Sequence, residues 1–303
     1  MSEIIVAGSI NMDIVNHVDQ FALPGQTIQG KLTEFFPGGK GANQAVAAAK
    51  SGASVRMIGA VGRDPFGEEL ISSLRQAGVS TDQVVKKEGA SGMAFITVNA
   101  QGENEIILSQ GANGKLTASD IPDLSAYSHV HAVLLQNEIP WPVTRHVILE
   151  ARRHRIPVIF NPAPAMPVSD DDLALIDTLV LNETEAECIA GESAEPPEKA
   201  ARFFIGRGVR EVLLTLGERG CFYANRDGDE IAVSAYPVQA VDTTAAGDTF
   251  IGAFAAARAE GMPVREGLRF ASAAAALSVI RRGAQASIPA KAEILRFMNE
   301  AGR

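Results

Sequence analysis

The chain has few cysteines and no long apolar run. Its 303 residues include two cysteines, Cys188 and Cys221, whose separation fits neither a metal-binding nor a redox motif. This scarcity predicts a reducing, cytoplasmic location. The alanine-rich run Ala271–Ile280 is too short to span a bilayer, and the run Ile4–Ile10 is too short for a signal-peptide core and has no basic segment before it. We therefore expect no membrane partner.

Extended basic runs are also missing. The formal net charge is -9 at pH 7, and the longest basic cluster is centred on Arg152-Arg153. Nucleic acid is therefore not expected as a partner, and an anionic substrate must be held by local donors rather than by a general positive field. The content of 46% hydrophobic and 21% charged residues predicts a globular protein with a sizeable core.

Short β-branched runs alternate with helical patterns through most of the chain. The strand candidates are Ile4–Ala7, Val55–Ala60, Ala132–Leu135, Val158–Phe160, Thr178–Leu181 and Val212–Leu216. The helix candidates are Ala42–Lys50, Gly67–Ala77, Val143–His154, Thr184–Ala190 and Lys199–Gly206. This alternation predicts an α/β fold with three αβα layers, in which helices cover both faces of a doubly wound, mostly parallel sheet.

Two segments interrupt the alternation. Ile14–Phe36 and Ser91–Ser109 have strand-like patterns and glycine-bearing turns, without long helices between them. We predict that they form a small β-sheet that covers a site as a lid. The prediction is one domain over residues 1–303, with lid strands inserted at about 11–37 and 90–110. From residue 246 on, the chain is predicted to be largely helical, with a loop at Arg281–Ser287.

The segment from Ala240 to Phe250 places small residues directly before an aspartate, where a strand pattern gives way to a helical one. The spacing predicts a helix that opens with Ala246, Gly247 and Asp248, and the first N–H groups of a helix attract anions. Small side chains let a phosphate approach, and Asp248 is placed to accept a proton from an attacking hydroxyl. An ordinary strand-to-helix turn is the alternative.

A second glycine-rich segment, Pro37–Asn43, matches neither common phosphate-binding motif. Gly41 stands where a Walker A loop has Ser or Thr, and Gln44 stands where a dinucleotide fingerprint has its third glycine. What remains is a flexible loop with Lys40 and Asn43 at a helix start, which suits hydrogen bonding to a polyhydroxyl ligand. A turn with a capping residue is the alternative interpretation.

Three further polar segments lie at the ends of predicted strands. Asn11 and Asp13 are two residues apart, so in an extended chain both side chains point the same way and can bind adjacent sugar hydroxyls; a polar strand end is the alternative. Asn182–Glu185 has the composition of a helix cap. Thr215–Gly220 contains two glycines and predicts a tight turn near a ligand.

Together and in this order, the segments resemble the ribokinase-like family of carbohydrate kinases along essentially the whole chain. The two family signatures correspond to Gly38–Asn43 and Asp242–Asp248, and the second ends in the family's catalytic aspartate. The segments that resemble the ribokinase subfamily are Gly8–Asp13, Gly41–Val46, Asn161–Ala165, Asn182–Glu185 and Gly283–Gln285. The alanine at position 245, where the family often has glycine, also fits that subfamily.

The resemblance implies roles for the matching positions. Asp248 is the implied base that deprotonates the 5-hydroxyl of the sugar, and the N–H groups of Ala245, Ala246 and Gly247 are the implied anion hole for the γ-phosphoryl group of ATP. The implied sugar-binding residues are Asn11, Asp13, Gly39, Lys40, Asn43, Glu138 and Asp248. The implied nucleotide-binding residues are Asn182, Glu185, Thr215, Leu216, Gly217, Glu218, Arg219, Gly220, Gly247, Asp248 and Ser272.

The resemblance also implies two metal ions. Glu185 belongs to a segment that helps to hold Mg²⁺ through water in the family. A pair of loops holds K⁺ beside the anion hole, mostly through carbonyl oxygens. The implied K⁺ positions are Asp242, Thr244, Val279, Arg282, Ala284 and Ser287. A homodimer that assembles through the lid is a further implication.

The expected activity is ATP-dependent phosphorylation of D-ribose at O5. The nearest alternative is another kinase of the same family, for 2-deoxyribose or adenosine; the polar set of Asn11, Asp13, Lys40 and Asn43 favours a small, fully hydroxylated sugar over a nucleoside. A non-catalytic sugar-binding protein is a third candidate, but it has no need of Asp248 as a base. An NAD-dependent oxidoreductase is disfavoured because the fingerprint fails.

Overall fold

A computed structural model describes residues 3–127 and 129–302. Its strands are β1 Glu3–Ala7, β2 Asn11–His17, β3 Leu32–Gly38, β4 Ser54–Gly62, β5 Val79–Lys87, β6 Gly92–Val98, β7 Asn104–Ser109, β8 Val130–Gln136, β9 Val158–Asn161, β10 Thr178–Asn182, β11 Glu211–Thr215, β12 Cys221–Asn225 and β13 Glu230–Val233. Its α-helices are α1 Lys40–Lys50, α2 Pro65–Gln76, α3 Trp141–Arg153, α4 Asp170–Leu173, α5 Glu183–Ala190, α6 Pro197–Gly206, α7 Ala246–Ala259, α8 Val264–Val279, α9 Ala284–Ser287 and α10 Lys291–Glu300. Within these residues, none of the helices combines the length and apolar character needed to cross a membrane.

The large sheet has the strand order β13-β12-β11-β10-β9-β8-β1-β4-β5. All neighbouring pairs from β5 to β11 are parallel, and β12 and β13 are antiparallel additions at one edge. The chain builds outward from β1 through β4 and β5 and then returns to the other side of β1 with β8. Ligands of doubly wound sheets bind at the carboxyl ends of the strands where the order reverses in this way. Asn11 and Glu138 follow β1 and β8 at this point.

Apolar residues cover both faces of the large sheet. Ile4 and Val6 of β1 belong to one core, which includes residues of α1, α7 and α8. Ile5 belongs to a second core, which includes residues of α3 and α6. Successive side chains of a strand point to opposite faces, so a strand buried on both sides appears in the sequence as a continuous apolar run. The predicted three-layer, mostly parallel architecture is confirmed.

β3, β2, β6 and β7 form a separate four-stranded sheet in that order. β2 is parallel to β6, and the two outer pairs are antiparallel. The strands come from the two predicted lid segments, so the small sheet is confirmed. Because β2 begins at Asn11, four positions after the end of β1 at Ala7, the small sheet adjoins the point where the large sheet reverses its order.

Some boundaries differ from the sequence prediction. β5, β12 and β13 are not among the predicted strands, because β5 contains the polar run Ser80–Gln83 and the β12–β13 hairpin does not follow the strand–helix alternation. The loop predicted at Arg281–Ser287 is partly wrong, because Ala284–Ser287 forms a short helix in which the Ser287 hydroxyl donates to the Ala284 carbonyl at 2.8 Å. α1 begins at Lys40, two residues earlier than predicted.

Candidate active site

The N-terminus of α7 follows a tight turn. Ala245 adopts a left-handed backbone conformation, with φ 60° and ψ 12°, and α7 begins at the next residue, as predicted. The N–H of Ala246 donates to the carbonyl of Thr243 at 3.2 Å and closes the turn. The N–H groups of Gly247 and Asp248 lie in the first helical turn, where a helix supplies no acceptor of its own. Together with the helix dipole, they favour an anion at this end.

Asp248 is buried beside this turn, with 7% of its surface exposed. Its Oδ2 accepts a hydrogen bond from Nδ2 of Asn43, and its Oδ1 accepts one from Nε2 of Gln44, both at 3.0 Å. Both donors come from α1. Hydrogen bonds from neutral amides stabilise an ionised carboxylate and fix its orientation, while each oxygen keeps a second lone pair.

The close contact of α1 and α7 explains these bonds. A Cβ placed at Gly252 would lie 2.5 Å from the carbonyl oxygen of Gln44 and 2.6 Å from Cβ of Ala47, which are distances that real side chains do not adopt. Glycine at this position therefore lets the two helices touch. Gly252 lies one helical turn after Asp248, so the contact places the carboxylate beside the start of α1.

Asn11 and Asp13 lie on the same face of β2, as predicted, and both are buried. Oδ1 of Asn11 accepts a hydrogen bond from Nδ2 of Asn113 at 2.7 Å. The carboxylate of Asp13 fills the space that a side chain at position 38 would occupy, since a Cβ on Gly38 would lie 2.1 Å from it. Gly39 follows with φ 89°, and a Cβ there would lie 2.8 Å from the backbone nitrogen of Asn11. The glycines thus bring the loop against β2.

Glu138 connects β8 with the start of α1. Its Oε2 accepts hydrogen bonds from the hydroxyl of Ser9 at 2.5 Å and from the backbone N–H of Lys40 at 3.1 Å. Glu138 therefore holds the segment after β1 and the first residue of α1 together. The predicted sugar-binding residues Asn11, Asp13, Gly39, Lys40, Asn43 and Glu138 consequently lie in one region, which we call the sugar side.

Four carboxylates surround one lysine in this region. Burial, and then the charges of Glu138 and Asp248, raise the pKa of Asp13 from its ordinary value of 3.8 to about 7, although Lys40 opposes this shift. Burial also raises the pKa of Glu138 and the pKa of Glu185. The charge of Asp248 raises the pKa of Lys40 in turn, so Lys40 stays cationic. Carboxylates of this kind are strong acceptors for sugar hydroxyls.

A cleft of about 220 Å³ opens on the other side of Asp248. It is lined by Lys40, Asn161, Val180, Leu181, Asn182, Glu185, Thr215, Thr243, Ala245, Ala246, Gly247, Asp248 and Ile251. Lys40 and Asp248 therefore border both regions. Another cavity, of about 270 Å³ between β13 and α8, includes none of the predicted site residues.

Asn182 and Glu185 form a reciprocal helix cap at the start of α5. Oδ1 of Asn182 accepts from the backbone N–H of Glu185 at 2.8 Å, and Oε2 of Glu185 accepts from the N–H of Asn182 at 2.9 Å. The interpretation of this segment as a cap is thus confirmed. The same two residues line the cleft, so the cap also holds the Glu185 carboxylate at the cleft wall.

The predicted nucleotide loop Thr215–Gly220 is the turn between β11 and β12. Thr215 lines the cleft, whereas the other residues of the loop are not part of its lining. Gly220 has φ 98°, and a Cβ there would lie 2.0 Å from the Val233 carbonyl, so the turn requires glycine. Ser272 is buried in α8, and its Oγ lies 4.0 Å from Sγ of Cys221, the residue after the loop.

Arg219 in this loop already has two acidic partners. Its guanidinium forms ion pairs with Glu183 and, at 2.6 Å, with Glu195. The three side chains are exposed or half-buried, so these pairs contribute little to stability. Arg219 thus connects the nucleotide loop to the start of α5 and to the segment before α6.

The predicted cation positions lie on the loop before α7 and on an adjoining segment that runs from the end of α8 through α9. The Asp242 carboxylate accepts hydrogen bonds from the N–H groups of Thr244 and Gly283, both at 2.9 Å. The Val279 carbonyl accepts from the N–H of Val241 at 2.7 Å and from that of Asp242 at 3.1 Å. Asp242 therefore joins the loop before α7 to the loop after α8.

Lys50, which is not among the predicted site residues, also contacts the second of these segments. Its ammonium donates to the carbonyls of Gln285 at 3.2 Å and Ile288 at 2.9 Å. Lys50 ends the helix whose first residue is Lys40. Consequently α1 touches the sugar side with one end and the candidate cation loop with the other.

Four buried amides of the site are absent from the predicted set: Gln44, Asn113, Gln136 and Asn161. The sequence feature that could identify three of them is a polar residue in apolar surroundings. Gln136 and Asn161 directly follow predicted apolar strands, and Gln44 stands among alanines in a predicted helix. Asn113 lies about a hundred residues from its partner Asn11, and no local pattern in the sequence joins them.

Comparison with known proteins gives a consistent result. The family model described as pfkB family carbohydrate kinase matches residues 1–291. The ribokinase of Haemophilus influenzae is 40% identical over 301 residues, 98% of each chain. The deoxyribokinase of Salmonella typhimurium is 35% identical over 303 residues, 98% of this chain and 99% of the relative. The structure of Arabidopsis thaliana ribokinase complexed with ribose and ATP has a TM-score of 0.90 and 34% identity, with 98% of both chains covered. The resemblance seen in the motifs is thereby confirmed, and the chain belongs to the pfkB family of carbohydrate kinases.

Proposed function

We propose that the chain transfers the γ-phosphoryl group of ATP to O5 of D-ribose and gives D-ribose 5-phosphate. The observation that carries this proposal is the position of Asp248 between two regions of different chemistry. On one side lie the buried acceptors and amides of the sugar side, and on the other lies the cleft at the start of α7. The ribokinase relatives and the Arabidopsis complex with ribose and ATP support the same pair of substrates.

The sugar side accounts for binding. Ribose hydroxyls can donate to the carboxylate of Asp13 and to Oδ1 of Asn43, which is buried and has no hydrogen-bond partner among residues 3–127 and 129–302. The amide of Asn11 is already oriented by Asn113. A buried polar group without a partner costs about 1–3 kcal/mol, so a ligand hydroxyl that satisfies it gains affinity.

Asp248 accounts for the proton transfer. We assign to it the removal of the proton from the attacking hydroxyl, because two amides hold the carboxylate and it borders both the sugar side and the cleft. The N–H groups at the start of α7 and the Lys40 ammonium face the cleft, where negative charge develops on the transferred group. Positioning and electrostatic stabilisation then account for most of the catalysis.

Mg²⁺ is the expected metal at the cleft wall. Among the described residues, no group of three or more His, Cys, Asp or Glu side chains could hold a metal ion alone. Glu185 fits an ion that keeps several waters and takes its other ligands from phosphates, as Mg²⁺ commonly does. Bound there, Mg²⁺ supplies charge neutralisation to the phosphates.

The two loops joined by Asp242 fit a monovalent cation, K⁺, and the implied role remains a proposal. The loops and their flanking residues carry carbonyl groups that suit such an ion, including those of Val279 and Ala284. In the present arrangement these carbonyls accept hydrogen bonds from N–H and hydroxyl groups, so an ion would compete with those donors. Asp242 and Thr244 lie just before the N-terminus of α7, so an ion here would act by fixing the backbone of the anion site.

The nearest alternative activity is phosphorylation of 2-deoxyribose, because one of the relatives is the Salmonella typhimurium deoxyribokinase. A coupled ADP-release assay with pentoses, 2-deoxyribose, hexoses and nucleosides distinguishes the candidates. We expect ribose to give the highest kcat/KM. A higher kcat/KM for 2-deoxyribose would replace the proposed substrate, and binding of ribose without any ADP release would point to a sugar-binding protein.

We also propose a homodimer that forms through the small sheet. Phe35, Phe95 and Ile107 are large, exposed apolar residues that lie in register across it, because Ile14 pairs with both phenylalanines and Phe95 pairs with Ile107. A row of this kind suits burial against a second copy. Ile107→Glu should shift the mass measured by light scattering from dimer to monomer. A monomeric parent chain at micromolar concentration would contradict the proposal.

A further inference from the structure

A row of buried amides leads from Asp248 into the protein. Nε2 of Gln44 donates both to Oδ1 of Asp248 at 3.0 Å and to Oδ1 of Asn161 at 3.3 Å. Oε1 of Gln44 accepts from Nε2 of Gln136 at 2.7 Å. Gln44 and Gln136 have no exposed surface. Gln44 therefore cannot touch a substrate, and it acts on the site through the side chains that it binds, Asp248 and Asn161.

The direction of this row is fixed at its far end. Nδ2 of Asn161 donates to the backbone carbonyl of Val180 at 3.1 Å, and a carbonyl can only accept. The oxygen of Asn161 must then face Gln44, so Gln44 turns its NH₂ group toward both Asn161 and Asp248. The oxygen of Gln44 is left to accept from Gln136. Each amide has one orientation that satisfies its neighbours.

We propose that Gln44 is a positioning residue for the base, held in its orientation by Gln136 and Asn161. The proposal rests on the phosphotransfer function assigned to Asp248 above. Asn43 holds Oδ2 from the sugar side, and Gln44 holds Oδ1 from the interior, so the two bonds together fix the rotation of the carboxylate. An aspartate held at one oxygen alone could rotate away from the hydroxyl, and a misplacement of about 1 Å can reduce the rate about 10²-fold.

Three variants separate positioning from simple packing. Gln44→Met keeps the length of the side chain but removes the donor, and Gln44→Glu keeps the shape but places an acceptor against Asp248. Gln136→Glu should reverse the orientation of Gln44, because a carboxylate must receive the NH₂ group. Gln83→Met is the control, since it makes the same chemical change at a half-buried position on β5, away from the cleft.

We expect Gln44→Met to lower kcat about 10–10²-fold, with KM for ribose and ATP changed less than about threefold. Gln44→Glu should lower kcat further, and Gln136→Glu should lower it about tenfold, while Gln83→Met stays within twofold of the parent. Ribose binding by calorimetry and the thermal midpoint are measured for every variant. A packing role predicts the opposite order at position 44, because glutamate preserves the shape better than methionine does.

A Gln44→Met variant that folds, binds ribose and keeps kcat within about twofold would overturn the proposal. If Gln44→Met does not fold, Gln136→Glu is tested in its place, and a folded, ribose-binding Gln136→Glu variant with kcat within about twofold of the parent would overturn the proposal. Activity of the parent is measured first on the sugar panel. Should the parent prefer another sugar, the proposed substrate fails, and the variants are then compared on that sugar. If the parent phosphorylates none of the compounds, Asp248 has no role as a base, and both the proposed function and the proposed role of Gln44 are overturned.

Discussion

The two sides of Asp248 are made from different parts of the polypeptide. The sugar side consists of side chains, namely buried amides and carboxylates that come from β2, α1 and the segment after β8. The phosphate side, our name for the cleft at the start of α7, combines main-chain N–H groups of Gly247 and Asp248 with the charged side chains of Lys40 and Glu185. Substitutions on the sugar side therefore change chemistry directly, whereas substitutions in the turn at Ala245–Gly247 act by moving the backbone.

The largest effect is expected where the two sides meet. Asp248→Asn keeps the shape of the side chain but cannot accept the hydroxyl proton, so we expect kcat to fall about 10²–10⁴-fold. Binding of ribose and ATP, measured by calorimetry, should change little, because the loss falls on the transition state. Retention of more than about a tenth of the parent kcat would remove Asp248 from the role of base.

A large effect on the sugar side is expected for Asp13→Asn. The variant loses a charged acceptor, so KM for ribose should rise about 10–10²-fold. The same substitution should increase the free energy of unfolding of the ligand-free protein. With a native pKa of about 7 against an ordinary 3.8, the native carboxyl keeps a proton that the unfolded chain loses, so stability falls as pH rises from about 4 to 7.

Asp13→Asn removes that penalty. Without ribose, the variant should unfold at a higher temperature than the parent at pH 8, by about 2 °C or more for a chain of this size. At pH 4 the difference should be small. A lower midpoint for the variant at pH 8 would show that Asp13 stabilises the empty protein rather than serving its ligand.

A moderate effect is expected for Asn11. An amide built to pair with a sugar hydroxyl is left without a partner by an analogue that lacks it, at a cost of about 1–3 kcal/mol. The parent should therefore prefer ribose over 2-deoxyribose in kcat/KM, and the preference should shrink in Asn11→Ala. Asn113→Ala, which frees the Asn11 amide, should shrink it less. Equal kcat/KM for the two sugars in the parent would contradict this role.

A severalfold effect is expected from K⁺ on the phosphate side. Activity in Tris buffer with Mg²⁺ and the Tris salt of ATP should rise on addition of KCl, and less on addition of NaCl at equal ionic strength. The reason is that the ion would organise the loops before α7 without taking part in the chemistry. If neither salt changes the activity of protein dialysed free of monovalent metal ions, the proposal that these loops bind a functional cation is wrong.

The smallest effect is expected for Ala245→Gly. A residue with a Cβ in the left-handed region costs about 1 kcal/mol, which glycine avoids. Glycine loses a similar amount through the greater freedom of the unfolded chain. The free energy of unfolding should therefore stay within about 0.5 kcal/mol of the parent, and kcat within about threefold. A tenfold loss of kcat would mean that the alanine methyl group itself is needed.

Much of the fold follows from patterns along the chain. Apolar runs such as Ile4–Ala7 identify strands that are buried on both faces, and small residues before Asp248 identify the start of α7. The β12–β13 hairpin is less visible, because its strands are short and pair with neighbours in sequence rather than across a helix. The cytoplasmic location is a prediction from the cysteine content alone.

The sequence by itself determined the family and the strand–helix alternation, because these depend on residue types at short spacings, and it predicted Asp248 as the base for the same reason. Tertiary structure alone decided which polar groups meet. Gln44 and Gln136 are 92 positions apart, and Asn11 and Asn113 are 102 apart, yet each pair forms a buried hydrogen bond. Such contacts depend on the order of strands at the reversal point of the sheet and on a glycine that lets α1 and α7 touch. Local spacing carries no information about either feature, because both arise from elements that are distant in the chain.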